Sequence, residues 1–146
     1  GWVKSFKNCF LIRHPKEVII SYAKKNNINS AYDLGYEQQV NLFKKIREIT
    51  GSFPSVFDSK DILSSPKSIL QKLCIELDIE FSIKMLNWPK GNRSSDGVWS
   101  SHWYKNVVNS DGFMSYKEPS QDLKKEHIDI FKECMDHYNY LNSFKI

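Results

Sequence analysis

A short apolar run that passes through a proline into an amphipathic segment sets the first constraint on the fold. Residues 8–12 (NCFLI) are mostly apolar and bounded by polar residues, which predicts a buried β-strand. Pro15 follows shortly afterwards, and apolar residues then recur at helical spacing between residues 18 and 23. Because the fixed backbone angle of proline favours the first position of a helix, the segment predicts a strand that turns directly into a helix.

A second strand and a long helix are predicted next. Asp33 can cap the amino-terminal end of this helix and Gly51 can end it. Residues 54–58 then predict a second short strand. The residues of the long helix that recur at helical spacing and should face the core are Tyr36, Val40, Phe43 and Ile46.

The carboxyl-terminal half predicts further helices around a loop. A helix should start at Ser65 and Pro66, with one apolar face formed by Ile69, Leu70, Leu73 and Leu77. Residues 87–101 are rich in Pro, Gly, Asn and Ser, which is typical of a loop, and a short aromatic helix is predicted at residues 102–109. The last helix is predicted at residues 120–141, with one side formed by Leu123, His127, Ile130, Phe131, Cys134 and Tyr138.

The order of these elements predicts an α/β fold in which helices cover a mostly parallel sheet. Two strands make a small sheet, and the chain opens on Gly1 just before the first of them. We therefore expect further strands upstream, so that residues 1–146 form the carboxyl-terminal part of one domain.

Composition narrows the class of protein. The 146 residues carry a net charge of +4 without a long basic stripe, which disfavours nucleic acid as a partner and suits a small anionic ligand. Cys9, Cys74 and Cys134 are widely separated among apolar neighbours, which predicts reduced core thiols and no metal site. No apolar stretch approaches the roughly 18 residues of a membrane span, and no signal peptide is evident, so a cytoplasmic location is expected.

Arg13 stands at the carboxyl end of the first strand, where α/β proteins gather their ligands. A guanidinium there can bind two phosphate oxygens, and Ser21, eight residues later, offers a hydroxyl. In the alternative interpretation Arg13 forms a surface ion pair and Ser21 bonds back to the carbonyl of Glu17. Spacing alone favours this second, structural interpretation.

The segment LIRHPKEVIISY, residues 11–22, resembles the nucleotide-phosphate segment of the sulfotransferase superfamily. Similarity to bacterial sulfotransferase-like proteins continues through residues 56–81 and 85–113. The resemblance implies a three-layer, P-loop-like fold whose amino-terminal strands are missing here. It also implies that Arg13 and Ser21 bind the 3′-phosphate of the sulfate donor, 3′-phosphoadenosine 5′-phosphosulfate (PAPS).

The chain departs from the superfamily pattern in two ways. It has no loop rich in Lys, Gly, Ser and Thr that could hold the 5′-phosphosulfate, and no catalytic His upstream of the first strand. His14 occupies a position where relatives tend to show Asn or Asp, so it is interpreted as a polar neighbour and not as the base. We therefore expect this chain to supply the 3′-phosphate-binding half of a sulfotransferase and to transfer no sulfate by itself.

Two weaker features complete the candidates. The loop of Lys90, Gly91, Asn92 and Arg93 comes late in the chain, as does a basic loop that closes over the nucleotide in some superfamily members; a solvated turn is the alternative. His102 is a weak candidate for acceptor recognition or catalysis, beside Trp99 and Trp103, which are expected in the core.

Other functions remain open at this point. A noncatalytic nucleotide-binding module or a P-loop kinase-like phosphotransferase would share the architecture. For a sulfotransferase, the acceptor would be a small molecule or a glycan with a hydroxyl or amine, and the oligomeric state is left undefined.

Overall fold

The structure, a computed structural model, describes residues 1–93, 97 and 105–146. Its strands are β1 (Cys9–Ile12) and β2 (Ser55–Asp58). Its α-helices are α1 (Pro15–Tyr22), α2 (Tyr36–Thr50), α3 (Ser59–Ser64), α4 (Pro66–Leu77), α5 (Lys105–Val108) and α6 (Ile128–Asn142). Short 3₁₀ turns lie at Trp2–Ser5, Ala31–Leu34, Ile83–Met85 and Lys125–His127.

The two strands pair in parallel, with Cys9 opposite Ser55 and Ile12 opposite Asp58. This mixed α/β arrangement confirms the predicted alternation of strands and helices in the described residues. The prediction that β1 is buried holds for one face only. Phe10 and Ile12 are buried, whereas Leu11 is 57% exposed, because successive side chains of a strand point to opposite faces and the helices cover one of them.

The main core lies between this covered face of the sheet and helices α2 and α6. Phe43 of α2 is fully buried at its centre and makes aromatic contacts with Phe10 of β1 and with Phe144 after α6. The predicted core-facing residues of α2 are all buried, and Gly51 ends that helix in a left-handed conformation. The buried members of this core are Phe10, Ile12, Val40, Phe43, Ile46, Val56 and Leu141.

Two helix starts differ from the predictions. Asp33 does not cap α2, because its carboxylate accepts hydrogen bonds from the backbone N–H groups of Asn29 and Ser30 and so closes a separate 3₁₀ turn. The last helix begins at Ile128 and not at residue 120, since a 3₁₀ turn precedes it. Helix α3, which Asp58 caps through the backbone N–H of Lys60, was not predicted.

One further prediction about burial needs correction. Cys9 is exposed, because it points to the uncovered face of β1, while Cys74 and Cys134 are buried as expected and all three thiols are free. His127, predicted on one side of the last helix, is buried in the 3₁₀ turn just before α6. Within the described part of the chain, no helix has the length and apolar character that a membrane crossing requires.

Candidate functional site

The two parallel strands end at the same edge of the sheet, with Ile12 beside Asp58. Each strand passes almost directly into a helix, α1 after β1 and α3 after β2. In α/β proteins ligands bind at this edge, outside the carboxyl ends of the strands. The residues that follow Ile12 and Asp58 therefore form the candidate functional site.

Arg13 lies at this edge, and its guanidinium forms an ion pair with Glu17. Its Nε donates to Oε2 of Glu17 at 2.8 Å, and the Arg13 side chain is 49% exposed whereas that of Glu17 is 5% exposed. Among the residues that the structure describes, neither terminal guanidinium nitrogen has a hydrogen-bond partner. Arg13 therefore forms the predicted ion pair and still presents two terminal nitrogens whose N–H groups could bind an anion.

Helix α2 fixes the backbone around Arg13. The hydroxyl of Tyr36 donates to the carbonyl oxygen of Arg13 at 2.7 Å, and Nε2 of Gln39 donates to that of Leu11 at 2.9 Å. Burial raises the pKa of the Tyr36 phenol far above its ordinary value, so the hydroxyl remains a donor at neutral pH. These bonds position the end of β1 and hence the start of the Arg13 side chain.

Ser21 lies in the last turn of α1 and is exposed. Residues four apart lie on the same face of a helix, so Ser21 follows Glu17 on the face toward which Arg13 turns. Within the described residues the Ser21 hydroxyl makes no hydrogen bond, and the alternative bond back to the Glu17 carbonyl is not formed. Helical spacing therefore places Ser21 one turn after Glu17, the residue with which Arg13 pairs.

A cavity of about 180 Å³ lies between the two strand ends. Two buried carboxylates border it, and each accepts a tyrosine hydroxyl, Glu17 from Tyr116 at 3.0 Å and Asp58 from Tyr138 at 2.6 Å. Sequence reasoning missed both pairs, because the partners lie 99 and 80 residues apart in the chain. The residues that line the cavity are His14, Lys16, Glu17, Asp58, Lys60, Tyr116, Glu118, Pro119 and Tyr138.

His14 caps helix α1. Its Nδ1 accepts the backbone N–H of Lys16 at 3.3 Å, and its ring packs edge-on against that of Tyr138 at 5.5 Å between centroids. When Nδ1 accepts a hydrogen bond, the proton of the neutral ring lies on Nε2. This structural role accords with the interpretation of His14 as a polar neighbour of Arg13.

The loop at residues 90–93 has its described contacts elsewhere. Nζ of Lys90 pairs with Asp111 at 3.2 Å, and the N–H of Gly91, which adopts a φ of +109°, donates to the carbonyl of Val108 at 2.8 Å. In the described part of the chain neither Lys90 nor Gly91 has a hydrogen bond or ion pair with Arg13 or Ser21. The candidate His102 and its neighbours Trp99, Trp103 and Tyr104 lie outside the described residues.

Comparison with known proteins identifies the family. A family model described as a sulfotransferase domain matches residues 1–144. Two proteins of Arabidopsis thaliana are also similar. Branched-chain-amino-acid aminotransferase-like protein 1 is 33% identical over 137 residues, and branched-chain-amino-acid aminotransferase-like protein 2 is 30% identical over 135 residues.

These matches cover 94% and 92% of this chain, but the chain spans only 24% of the length of each relative. No solved structure matches the chain significantly. The family model covers nearly every residue, including the strand end with Arg13 and the helix with Ser21. The chain therefore belongs to the sulfotransferase domain family.

Proposed function

We propose that this chain is the part of a sulfotransferase that binds the 3′-phosphate of PAPS, and that Arg13 and Ser21 are the residues that bind it. The proposal includes a three-layer, P-loop-like fold for the complete domain. The acceptor would be a small molecule or a glycan that carries a hydroxyl or amine. Membership of the sulfotransferase domain family supports the reaction class.

The observation that carries the proposal is the state of the Arg13 guanidinium. Its Nε is occupied by Glu17, while its two terminal nitrogens have no hydrogen-bond partner among the described residues. Two parallel N–H groups match the spacing of two phosphate oxygens, and a charge-assisted pair of this kind is stronger than a neutral hydrogen bond. The exposed Ser21 hydroxyl, one helical turn after Glu17, can add a hydroxyl donor.

Arg13 and Ser21 would act on the end of the donor that does not react. PAPS supplies the sulfuryl group when bound, and the reaction is an in-line transfer to the acceptor. By holding the 3′-phosphate, Arg13 and Ser21 fix the position of the nucleotide, and such positioning accounts for a large part of enzymatic rate enhancement.

The names of the two plant relatives describe an aminotransferase-like protein, but each match involves 24% of the relative. The family model, by contrast, describes a sulfotransferase domain over residues 1–144. The site also contains a feature suited to phosphate, namely the two terminal nitrogens of Arg13, which have no hydrogen-bond partner among the described residues. We therefore base the proposal on the family and not on the names.

Calorimetric titration with adenosine 3′,5′-bisphosphate tests the proposal. Arg13→Ala should weaken binding by roughly tenfold to a hundredfold, because a hydrogen bond between charged groups contributes about 1.5 to 3 kcal/mol. Lys45→Ala, which removes an exposed positive charge from α2, is the matched control and should bind like the wild type.

Equal affinity of the wild type and Arg13→Ala would contradict the proposal. Because residues 1–146 are expected to transfer no sulfate by themselves, a transfer assay uses the complete domain that contains them, with radiolabelled PAPS and an acceptor panel. This assay separates a sulfotransferase from a noncatalytic nucleotide-binding module. Both would show the dependence on Arg13, and only the sulfotransferase would label an acceptor.

A further inference from the structure

Tyr116, Glu17 and Arg13 form a continuous chain of hydrogen bonds. The Tyr116 hydroxyl donates to Oε1 of Glu17 at 3.0 Å, and Nε of Arg13 donates to Oε2 of the same carboxylate at 2.8 Å. Glu17 is 5% exposed, so water has little access to either oxygen. Each carboxylate oxygen thus accepts one hydrogen bond from the protein. Tyr116 donates to Oε1, and Arg13 donates to Oε2.

Tyr116 is well placed to hold Glu17. It is half-buried between the exposed residues Ser115 and Lys117, and Nζ of Lys60 lies 5.2 Å from the centroid of its ring. Burial and the hydrogen bond to Glu17 raise the pKa of the Tyr116 phenol to about 12. The hydroxyl therefore stays protonated near neutral pH and acts as a donor to the carboxylate.

The Tyr116 hydroxyl occupies the Glu17 oxygen that could otherwise accept from a second Arg13 nitrogen. A carboxylate whose two oxygens are both free commonly forms two parallel hydrogen bonds with arginine, one from Nε and one from a terminal nitrogen. When Tyr116 occupies Oε1, Glu17 binds Nε alone and both terminal nitrogens remain for another anion. Loss of the hydroxyl would leave Oε1 buried without a donor, and Arg13, which already donates to Oε2 of the same carboxylate, can supply one from a terminal nitrogen.

From this geometry we infer that Tyr116 is a positioning residue for the 3′-phosphate site. By holding Oε1 of Glu17, it keeps the terminal nitrogens of Arg13 available for the phosphate. The inference rests on the proposed function, since it assumes that Arg13 binds this phosphate. Tyr116 itself is not assigned a contact with the nucleotide.

The test is the ratio of two affinities, that for adenosine 3′,5′-bisphosphate divided by that for adenosine 5′-monophosphate. Only the first ligand carries the 3′-phosphate, so general damage to the protein does not change the ratio. Tyr116→Phe should lower the ratio about threefold to tenfold, the effect expected for one neutral hydrogen bond. Affinity for the monophosphate should remain that of the wild type.

Tyr32→Phe is the control, because it also removes a tyrosine hydroxyl but lies on an exposed side chain that does not line the cavity. It should leave the ratio unchanged. Tyr116→Gln and Tyr116→Met are a second pair, of similar size, in which only Gln can donate to Glu17. Tyr116→Gln should keep more of the ratio than Tyr116→Met, whether or not the Phe variant folds.

The outcomes separate the inference from the proposed function. If Arg13→Ala leaves the ratio unchanged, both fail, because Arg13 then does not bind the 3′-phosphate. If Arg13→Ala lowers the ratio and Tyr116→Phe does not, the inference fails and the proposed function stands. An equal loss of affinity for both nucleotides in Tyr116→Phe would also overturn the inference, since it would indicate a packing role.

Discussion

The hydroxyl of Tyr138 donates a 2.6 Å hydrogen bond to Oδ2 of Asp58 and so joins the last helix to the end of β2. Asp58 is 3% exposed, and its other oxygen accepts the backbone N–H of Lys60, which starts α3. One buried carboxylate thereby connects a strand, the following helix and the carboxyl-terminal helix. The contact stabilises the edge of the sheet at which the candidate site lies.

Tyr138→Phe should lower the free energy of unfolding by about 1 to 3 kcal/mol. The reason is that Oδ2 of Asp58 would remain buried without its donor. Urea unfolding followed by circular dichroism measures the loss. Tyr32→Phe, at an exposed tyrosine, is the control and should change the stability little. Wild-type stability of Tyr138→Phe would show that the bond contributes nothing.

Tyr138 also predicts a dependence of stability on pH. Burial and the hydrogen bond to Asp58 raise the pKa of its phenol in the folded state. Above about pH 10 the phenol ionises in the unfolded chain but not in the folded one, so the stabilisation is lost as pH rises further. Unfolding measured from pH 8 to 11 should show a smaller decrease for Tyr138→Phe than for the wild type, and equal slopes would contradict this assignment.

Ser21→Ala should weaken binding of adenosine 3′,5′-bisphosphate by about tenfold without lowering stability. Its hydroxyl has no hydrogen bond to lose within the described structure, and Ala is the better helix former. Ser68→Ala, at an exposed position of α4, is the control for the same change in a helix. Unchanged affinity together with reduced stability would assign Ser21 a structural role instead.

Cys9 should be the most reactive thiol of the native protein. It is exposed, whereas Cys74 and Cys134 are buried, and partial burial raises its pKa above the ordinary value. Because the thiolate is the reactive form, its modification by a disulfide reagent should accelerate about tenfold between pH 7 and pH 8. Cys9→Ser should abolish the fast reaction, and a fast phase that persists in that variant would identify another thiol.

The elements that were predicted correctly are those whose start, end or buried face is set by residues within the element itself. Pro15 at the start of α1 and Gly51 at the end of α2 act through their own backbone angles, so their roles needed no knowledge of the fold. The buried residues of α2 were also found, because helical spacing places them on one face. By contrast, the exposure of Cys9 depends on which face of the sheet the helices cover, and that is decided by distant parts of the chain.

The same distinction applies to the candidate site. Arg13 and Ser21 could be identified because they belong to one short segment, whose spacing and family resemblance are visible in the sequence. The roles of Tyr116 and Tyr138 could not, since each hydroxyl reaches a carboxylate far away in the chain. The predicted helix cap at Asp33 was wrong for a local reason. Asp33 belongs to a separate 3₁₀ turn, which ends before α2 begins.

A crystal structure of the protein with adenosine 3′,5′-bisphosphate would show directly whether Arg13 and Ser21 bind the 3′-phosphate. Oxygens of the 3′-phosphate should lie within about 3 Å of both terminal nitrogens of Arg13 and of the Ser21 hydroxyl, with Glu17 still bound to Nε. A nucleotide bound elsewhere, or bound here with its 3′-phosphate away from Arg13, would contradict it.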